Sequence, residues 1–321
     1  MPYIPAISVV IPLYNKESYI AGALNSIFSQ TSQDFEVIVV DDGSTDGGTE
    51  IVKEFRDPRI RLIQQENKGV SAARNRGIEA SRSELIAFLD ADDEWLPLFI
   101  ETILRLRSLY PNAGLYGTAY EVHYPGSIVQ KVYNKSEGER LLSSFFGALV
   151  EFGSAIFNSS SSAAPKDVLI GVGGYPFGVK WNEDGTLWGK IALQYPIAYS
   201  PEICSIYRQY TESNSIGITE YLENPFVQYL STIPKNELSK ISYFRDLMEY
   251  SELCRLEAIS RNIFSGHGAR ARSELQFVKS SRFSRKKHKL RIFSYVPPMF
   301  ISLIRKNAKG LSYFKRKIIR E

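Results

Sequence analysis

The first hundred residues alternate short, β-branched apolar runs with longer segments of helical spacing, and this alternation limits the folds open to the chain. The strand patterns occupy residues 7–12, 36–40, 59–63 and 85–89, and the helix patterns occupy 18–30, 44–55, 70–80 and 97–109. Strands that alternate with helices predict a parallel sheet with helices on its faces. Because the strand patterns are apolar on both sides, we expect buried strands. The predicted fold class is α/β, with a mostly parallel sheet flanked by helices.

Acidic clusters follow two of these predicted strands directly, at residues 41–46 and 90–93. The carboxyl ends of parallel strands lie along one edge of a sheet, so both clusters are expected to face one crevice. Asp90 and Asp92 are two residues apart, and in an extended chain such side chains point the same way. Carboxylate oxygens suit Mg²⁺ or Mn²⁺, which usually keep substrate phosphates as further ligands. The pattern predicts a metal site for a nucleoside diphosphate compound; the alternative is a solvated acidic turn or a set of helix caps.

Other residues near this edge are candidates for contacts with a nucleotide. Asp42 could hold a base or ribose, or it could cap the turn at Gly43. Gly69 indicates a close backbone approach, and Arg74 or Arg76 could face phosphate near a helix N-terminus. The alternative for this second segment is an ordinary turn followed by a solvated basic face.

Taken together, the motifs strongly resemble those of the family 2 glycosyltransferases, inverting enzymes with the GT-A fold. The resemblance covers about residues 5–215. The segments that carry it are VVIPLYN at 9–15, VVDDGSTD at 39–46, NKGVSAARNRG at 67–77, FLDADD at 88–93 and NEDGTLW at 182–188.

The resemblance implies roles for individual residues. The implied metal ligands for Mn²⁺ or Mg²⁺ are Asp90, Asp92 and Asp93, and the implied general base is Asp184. Burial beside Trp181 and Trp188 would raise the pKa of Asp184 toward a useful value; the alternative role for Asp184 is the N-cap of a helix over 185–194. The residues predicted to bind the donor are Pro12, Tyr14, Asn15, Asp42, Gly69, Arg74, Asp90, Ala91, Asp92 and Arg208. Many relatives have Tyr-Arg-Gln-His near the end of the catalytic domain, whereas this chain has Tyr210 in the last place.

The predicted function is a metal-dependent inverting glycosyltransferase of the hexosyltransferase type. It would move a sugar from a nucleotide sugar, a UDP-sugar by expectation, to a hydroxyl acceptor such as a lipid-linked or polysaccharide intermediate. One alternative is a sugar nucleotidyltransferase, which would release pyrophosphate; such enzymes usually have a glycine-rich basic first loop, which residues 12–15 lack. The other is a non-catalytic carbohydrate- or membrane-binding protein with a degenerate site, against which the intact acidic residues argue.

The composition also predicts how the chain is divided. We expect a catalytic domain over 1–218 (a nucleotide-sugar half at 1–112 and an acceptor half at 113–218, with short strands at 114–124 and 154–157), a helical extension over 219–280 and a basic amphipathic tail over 281–321. Residues 282–321 hold thirteen lysines and arginines, many aromatic residues and one acid. This mixture favours an anionic membrane surface as partner. The alternatives are helices packed on the body and nucleic acid, for which no recognised motif is present.

The expected location is the cytoplasm, with peripheral attachment to the inner face of the cell membrane. The two cysteines are too few for a disulfide framework. The N-terminus does not resemble a signal peptide, and no apolar stretch reaches the roughly 20 residues of a membrane span.

Overall fold

The computed structural model describes residues 3–179, 181–209 and 223–296. The chain divides into two compact units. The first unit comprises Met1–Ala148 and Ala155–Asn214, and the second comprises Leu149–Ser154 and Ser215–Glu321.

The first unit holds a ten-stranded sheet and most of the helices before residue 200. Its strands are β1 (Ile7–Leu13), β2 (Phe35–Asp41), β3 (Ile60–Gln64), β4 (Leu85–Phe88), β5 (Glu94–Trp95), β6 (Leu115–Tyr124), β7 (Ser127–Lys131), β8 (Arg140–Leu141), β9 (Ser162–Pro165) and β10 (Ile197–Arg208). Its helices are α1 (Glu17–Phe28), α2 (Gly48–Glu54), α3 (Val70–Ala80), α4 (Phe99–Leu109), α6 (Lys166–Gly171) and α7 (Glu183–Ala192). Helix α5 (Phe145–Phe152) contains residues of both units.

The sheet has the strand order β3-β2-β1-β4-β9-β6-β10-β5, with β7 added to β6 and β8 added to β10. Parallel pairing joins β3 to β2, β2 to β1, β1 to β4, and β6 to β10. Strand β9 is antiparallel to both β4 and β6, so β4 and β6 run in the same direction on either side of it. The predicted α/β class with a mostly parallel sheet is confirmed, and the sheet is mixed rather than wholly parallel.

Apolar residues on both faces of the strands hold the sheet between its helices. Every residue of β2 is buried, as are six of the seven residues of β1. Helix α1 packs a stripe at helical spacing into this core, through Ile20, Leu24 and Ile27. Helix α3 approaches β1 so closely that a β-carbon on Gly77 would lie 2.2 Å from Cγ1 of Val10.

The later part of the sheet agrees less well with the sequence patterns. The strand predicted over 114–124 is present as β6, but the strand predicted over 154–157 is wrong, since these residues form a bend and the strand begins at Ser162. Strand β10, the longest in the sheet, has no counterpart among the predicted strands.

The second unit is helical over its described residues. It contains α8 (Pro225–Thr232), α9 (Lys235–Leu238), α10 (Phe244–Phe264), α11 (Gly268–Glu274) and α12 (Ser284–Phe293). Asn224 caps α8, because its side-chain oxygen accepts hydrogen bonds from the backbone N–H groups of Phe226 and Val227. Within the described ranges, no helix has the length and apolarity needed to cross a membrane. Most of the predicted basic tail, residues 297–321, lies outside those ranges.

Candidate active site

A buried arginine joins two acidic segments that are far apart in the sequence. Arg74 lies on α3 and is only 2% exposed. One end of its guanidinium group donates to Asp90 at 2.7 Å, and the other end donates to Glu183 and Asp184, each at 3.0 Å. The structure thus brings Asp90 and Asp184 into one cluster, and the link between them is a protein cation.

The segment 90–93 is a turn. The backbone N–H of Asp93 donates to the carbonyl oxygen of Asp90 at 2.9 Å, which closes a turn directly after β4. The argument that an extended chain turns Asp90 and Asp92 to one side is therefore wrong. Asp90 pairs with Arg74, whereas Asp92 pairs with Lys16 at 2.5 Å.

Asp93 points into the protein, with both carboxylate oxygens engaged. It is 1% exposed and accepts hydrogen bonds from the Ser160 hydroxyl at 2.5 Å and from the Arg208 backbone N–H at 2.9 Å. Burial, aided by the charges of Asp90 and Asp92, raises the pKa of Asp93 well above its usual value. This geometry ties the turn to β10 and does not present Asp93 as a metal ligand, contrary to the sequence-based expectation.

Asp184 lies in the first turn of α7. The helix begins at Glu183 and its N-cap is Asn182, so the alternative reading of Asp184 as the N-cap is wrong. Burial raises the pKa of Asp184 to about 7; the Arg74 charge opposes this rise, and the charges of Glu183 and Asp90 add to it. The predicted direction of the shift is confirmed. A carboxyl group with this pKa can take up and release a proton near neutral pH.

Asp42 stabilises the loop that precedes α3. It is 2% exposed and accepts hydrogen bonds from the backbone N–H groups of Lys68 and Gly69 and from the Gln65 side chain. Gly69 has a φ of +88°, and a β-carbon there would meet no atom within 4 Å. The glycine is needed for its left-handed backbone, and the structure shows open space there instead of a close protein contact.

The loop after β1 carries three further predicted donor residues. Asn15 has a φ of +49°; its backbone N–H donates to the Ser44 hydroxyl, and its side-chain oxygen accepts from the Thr45 backbone N–H. These bonds join the ends of β1 and β2. Tyr14 is 45% exposed, which leaves its ring accessible, whereas Pro12 lies within β1.

The two remaining predicted donor residues lie near Asp93, Ala91 in the same turn and Arg208 through its backbone N–H. Ala91 is buried in the turn. Arg208 ends β10, and its guanidinium group pairs with Glu94 at 2.7 Å. Tyr210, the departure from the family pattern, lies outside the described residues.

The sequence reasoning missed several members of this cluster. Glu183 shares Arg74 with Asp184, and its position beside the expected base was a usable signal. Lys16 and Ser160 gave no such signal, because their partners Asp92 and Asp93 lie 76 and 67 residues away in the sequence. The aromatic ring of Tyr175 lies 4.9 Å from the Arg74 guanidinium carbon and was also missed.

The chemistry of the donor set fits a hard divalent cation. In the described part of the chain, no group of three or more histidine, cysteine, aspartate or glutamate residues is arranged to hold a metal. Asp90 and Asp92 supply two carboxylates, and Mg²⁺-type ions are often bound by one or two carboxylates together with waters and substrate phosphates. Both carboxylates have cationic partners in the structure, Arg74 and Lys16, so this position already accommodates positive charge.

Comparisons with known proteins agree with this fold and motif arrangement. The glycosyltransferase GlyA of Streptococcus pneumoniae is 45% identical over 102 residues, 31% of this chain and 14% of GlyA. A chondroitin synthase of Escherichia coli is 36% identical over 134 residues, 41% of this chain and 20% of that protein. For eight curated relatives, the matched segment spans only 14% to 40% of the relative's own length.

The fold also matches solved structures. The crystal structure of Staphylococcus aureus TarS 1-349 in complex with UDP-GlcNAc superposes with a TM-score of 0.63, at 16% identity, over 94% of this chain and 91% of the TarS chain. At this level of identity the match shows a shared GT-A fold. The model of the Glycosyl transferase family 2 matches residues 8–168, half of the chain, and this chain therefore belongs to that family.

Proposed function

We propose that the protein transfers a sugar, with inversion, from a UDP-sugar to a hydroxyl group of a saccharide or lipid-linked acceptor. The observation that carries the proposal is the position of Arg74, which holds Asp90 at the end of β4 and Asp184 at the start of α7 in one cluster. The presence of UDP-GlcNAc in the TarS structure, which has the same fold, supports a UDP-sugar as donor.

In this proposal, Asp184 acts as the general base. A sugar hydroxyl is a weak nucleophile, and a carboxylate within hydrogen-bond distance can take its proton as the new bond forms. A pKa of about 7 leaves a large ionised fraction of Asp184 at neutral pH while giving it more basicity than an ordinary aspartate. Arg74 and Glu183 act through Asp184, because they set its charge environment and its orientation.

Asp90 and Asp92 would hold Mn²⁺ or Mg²⁺ in the proposed donor complex. When bound, such an ion would neutralise charge on the departing diphosphate. Asp93 fixes the shape of the turn through Ser160 and the Arg208 backbone, which keeps the first two carboxylates at the sheet edge. Tyr14, exposed beside this edge, is the proposed contact for the nucleotide base.

The test of this function is the variant Asp184→Asn. It removes the proton acceptor and leaves the proposed metal ligands unchanged, so we expect UDP-sugar binding within threefold of wild type and transfer reduced by at least 100-fold. The matched control is Asp167→Asn, which changes an exposed aspartate in the first turn of α6. Transfer by Asp184→Asn at the rate of the control would refute the assignment. Release of pyrophosphate in place of UDP by the wild type would point instead to nucleotidyl transfer.

For the second unit, we propose a contact with an anionic membrane surface. Helix α12 reads SRKKHKLRIF and has exposed basic residues, and Ile292 and Tyr295 beside them are 56% and 64% exposed. Each basic residue near such a surface contributes about 1 kcal/mol. Replacing both Arg285 and Arg291 by Gln should therefore weaken binding to phosphatidylglycerol vesicles about 30-fold, and unchanged co-sedimentation would refute the contact.

A further inference from the structure

Lys16 reaches the turn after β4 from a distant part of the sequence. It precedes α1 at the end of the loop that follows β1. Its ammonium group lies 2.5 Å from Oδ2 of Asp92, and the two side chains are only 15% and 17% exposed. A charge-assisted bond with this little exposure is stronger than an ordinary surface ion pair.

Several carboxylates meet in the acidic cluster. Among the described residues, Arg74 contacts Asp90, Glu183 and Asp184, and Lys16 contacts Asp92. A cleft lined by carboxylates attracts a cation from solution. Any divalent ion that binds Asp92 must compete with the cation that already contacts it.

The two protein cations, Arg74 and Lys16, differ in how easily they can move away from the carboxylates that they contact. Arg74 is 2% exposed and bonded to three partly buried carboxylates, so moving it would break three ion pairs at once. Lys16 carries a compact charge on a flexible four-carbon chain and keeps partial access to solvent. Rotation of the Lys16 side chain can therefore break the Lys16–Asp92 ion pair.

We propose that Lys16 is a built-in counter-ion of Asp92, which holds this carboxylate in place and is displaced when the divalent cation of the donor complex binds. This inference rests on the proposed metal-dependent function. Lys16 is thus a positioning residue of the metal site. Because Lys16 competes with the ion for Asp92, the affinity of the site for the free ion is lowered. The ion therefore binds Asp92 when it arrives together with the donor diphosphate.

The test is a titration of the full chain with Mn²⁺ alone, followed by the electron paramagnetic resonance signal of free Mn²⁺. In Lys16→Met the competing charge is absent, and we expect Mn²⁺ to bind about tenfold more tightly than to wild type, a difference of about 1.4 kcal/mol. Lys16→Arg keeps the charge and should show no such gain. Lys53→Met is the matched control, because Lys53 is a half-exposed lysine of α2 paired with Glu50.

Thermal unfolding gives a second readout that a purely structural role would not produce. The metal-free Lys16→Met protein should be less stable than wild type, because Asp92 loses its charged contact with Lys16. Its melting temperature should nevertheless rise more on addition of Mn²⁺, since the stabilisation grows with the ratio of ligand concentration to Kd.

The variant Asp92→Asn separates failure of this inference from failure of the proposed function. If Asp92→Asn loses the Mn²⁺ binding of wild type and Lys16→Met binds Mn²⁺ no more tightly than wild type, the counter-ion role is overturned and the metal site stands. If wild type binds no Mn²⁺ that depends on Asp92, even with UDP present, the proposed metal site fails and the inference fails with it.

Discussion

Replacement of Arg74 by methionine should destabilise the first unit and disable the cluster around it. Methionine fills part of the same volume, but it leaves Asp90, Glu183 and Asp184 without the cation that all three contact. Removing one partner from a buried ion pair costs about 3–5 kcal/mol. For a unit of this size, each kcal/mol lowers Tm by about 2–4 °C, so we expect a Tm lower by about 6–20 °C.

The same variant should change the titration of Asp184. Arg74 lowers the pKa of Asp184 against the effect of burial, so its removal should raise that pKa further above 7. The pH profile of sugar transfer, measured at a temperature at which the variant is folded, should move to higher pH. A change in protein stability alone would not move this profile.

Arg76→Met is the control for this prediction. Arg76 lies two residues further along α3, is half-exposed and pairs with Glu79 on the same helix. Its loss should change the free energy of unfolding by no more than about 0.5 kcal/mol. Differential scanning calorimetry measures both variants. A Tm for Arg74→Met within 2 °C of that for Arg76→Met would refute the reasoning.

Three further predictions follow from single contacts. If Asp184 is the base, as proposed, it must be ionised to act, so kcat/KM for transfer should fall about tenfold per pH unit below 7 and level off above it. The same raised pKa makes the contribution of Asp184 to the free energy of unfolding decrease as pH rises from about 4 to about 7. Ser160→Ala removes the hydroxyl group that donates to Asp93. It should lower the free energy of unfolding, measured in urea, by about 1–3 kcal/mol. Gly77→Ala should lower the free energy of unfolding by about 1–3 kcal/mol in the same assay, since the added methyl group would overlap Val10.

The first half of the sheet could be predicted from the sequence because a local pattern of residues marks each of its strands. Strands β1, β2 and β4 are short, mainly apolar runs that are buried on both faces, as that pattern predicts, whereas β3 at the edge of the sheet is only partly buried. Strand β10 could not be predicted in this way. It mixes serine and glutamate with apolar residues, and it pairs with β6 through two register shifts that no local pattern encodes.

For the site, the sequence predicted the place of the 90–93 segment in the sheet but not the geometry of its carboxylates. Strand order alone placed the 90–93 segment at the carboxyl edge. The turn that separates Asp90 from Asp92 depends on a hydrogen bond from Asp93 to the backbone of Asp90, and the inward orientation of Asp93 depends on Ser160, far along the chain. Such partners are set by tertiary packing, and one sequence without tertiary contacts does not contain them.

Strand β9 is antiparallel to its neighbours, and six strands of the sheet, β1 to β4 with β6 and β10, run in one direction. The tip of the β6–β7 hairpin, between Tyr124 and Ser127, therefore lies at the same edge of the sheet as the turn after β4, whereas Arg74 contacts Asp90, Glu183 and Asp184. A chimaera with a longer β6–β7 hairpin would therefore change the surface at this edge of the sheet. The ion pairs between Arg74 and its carboxylates would stay in place.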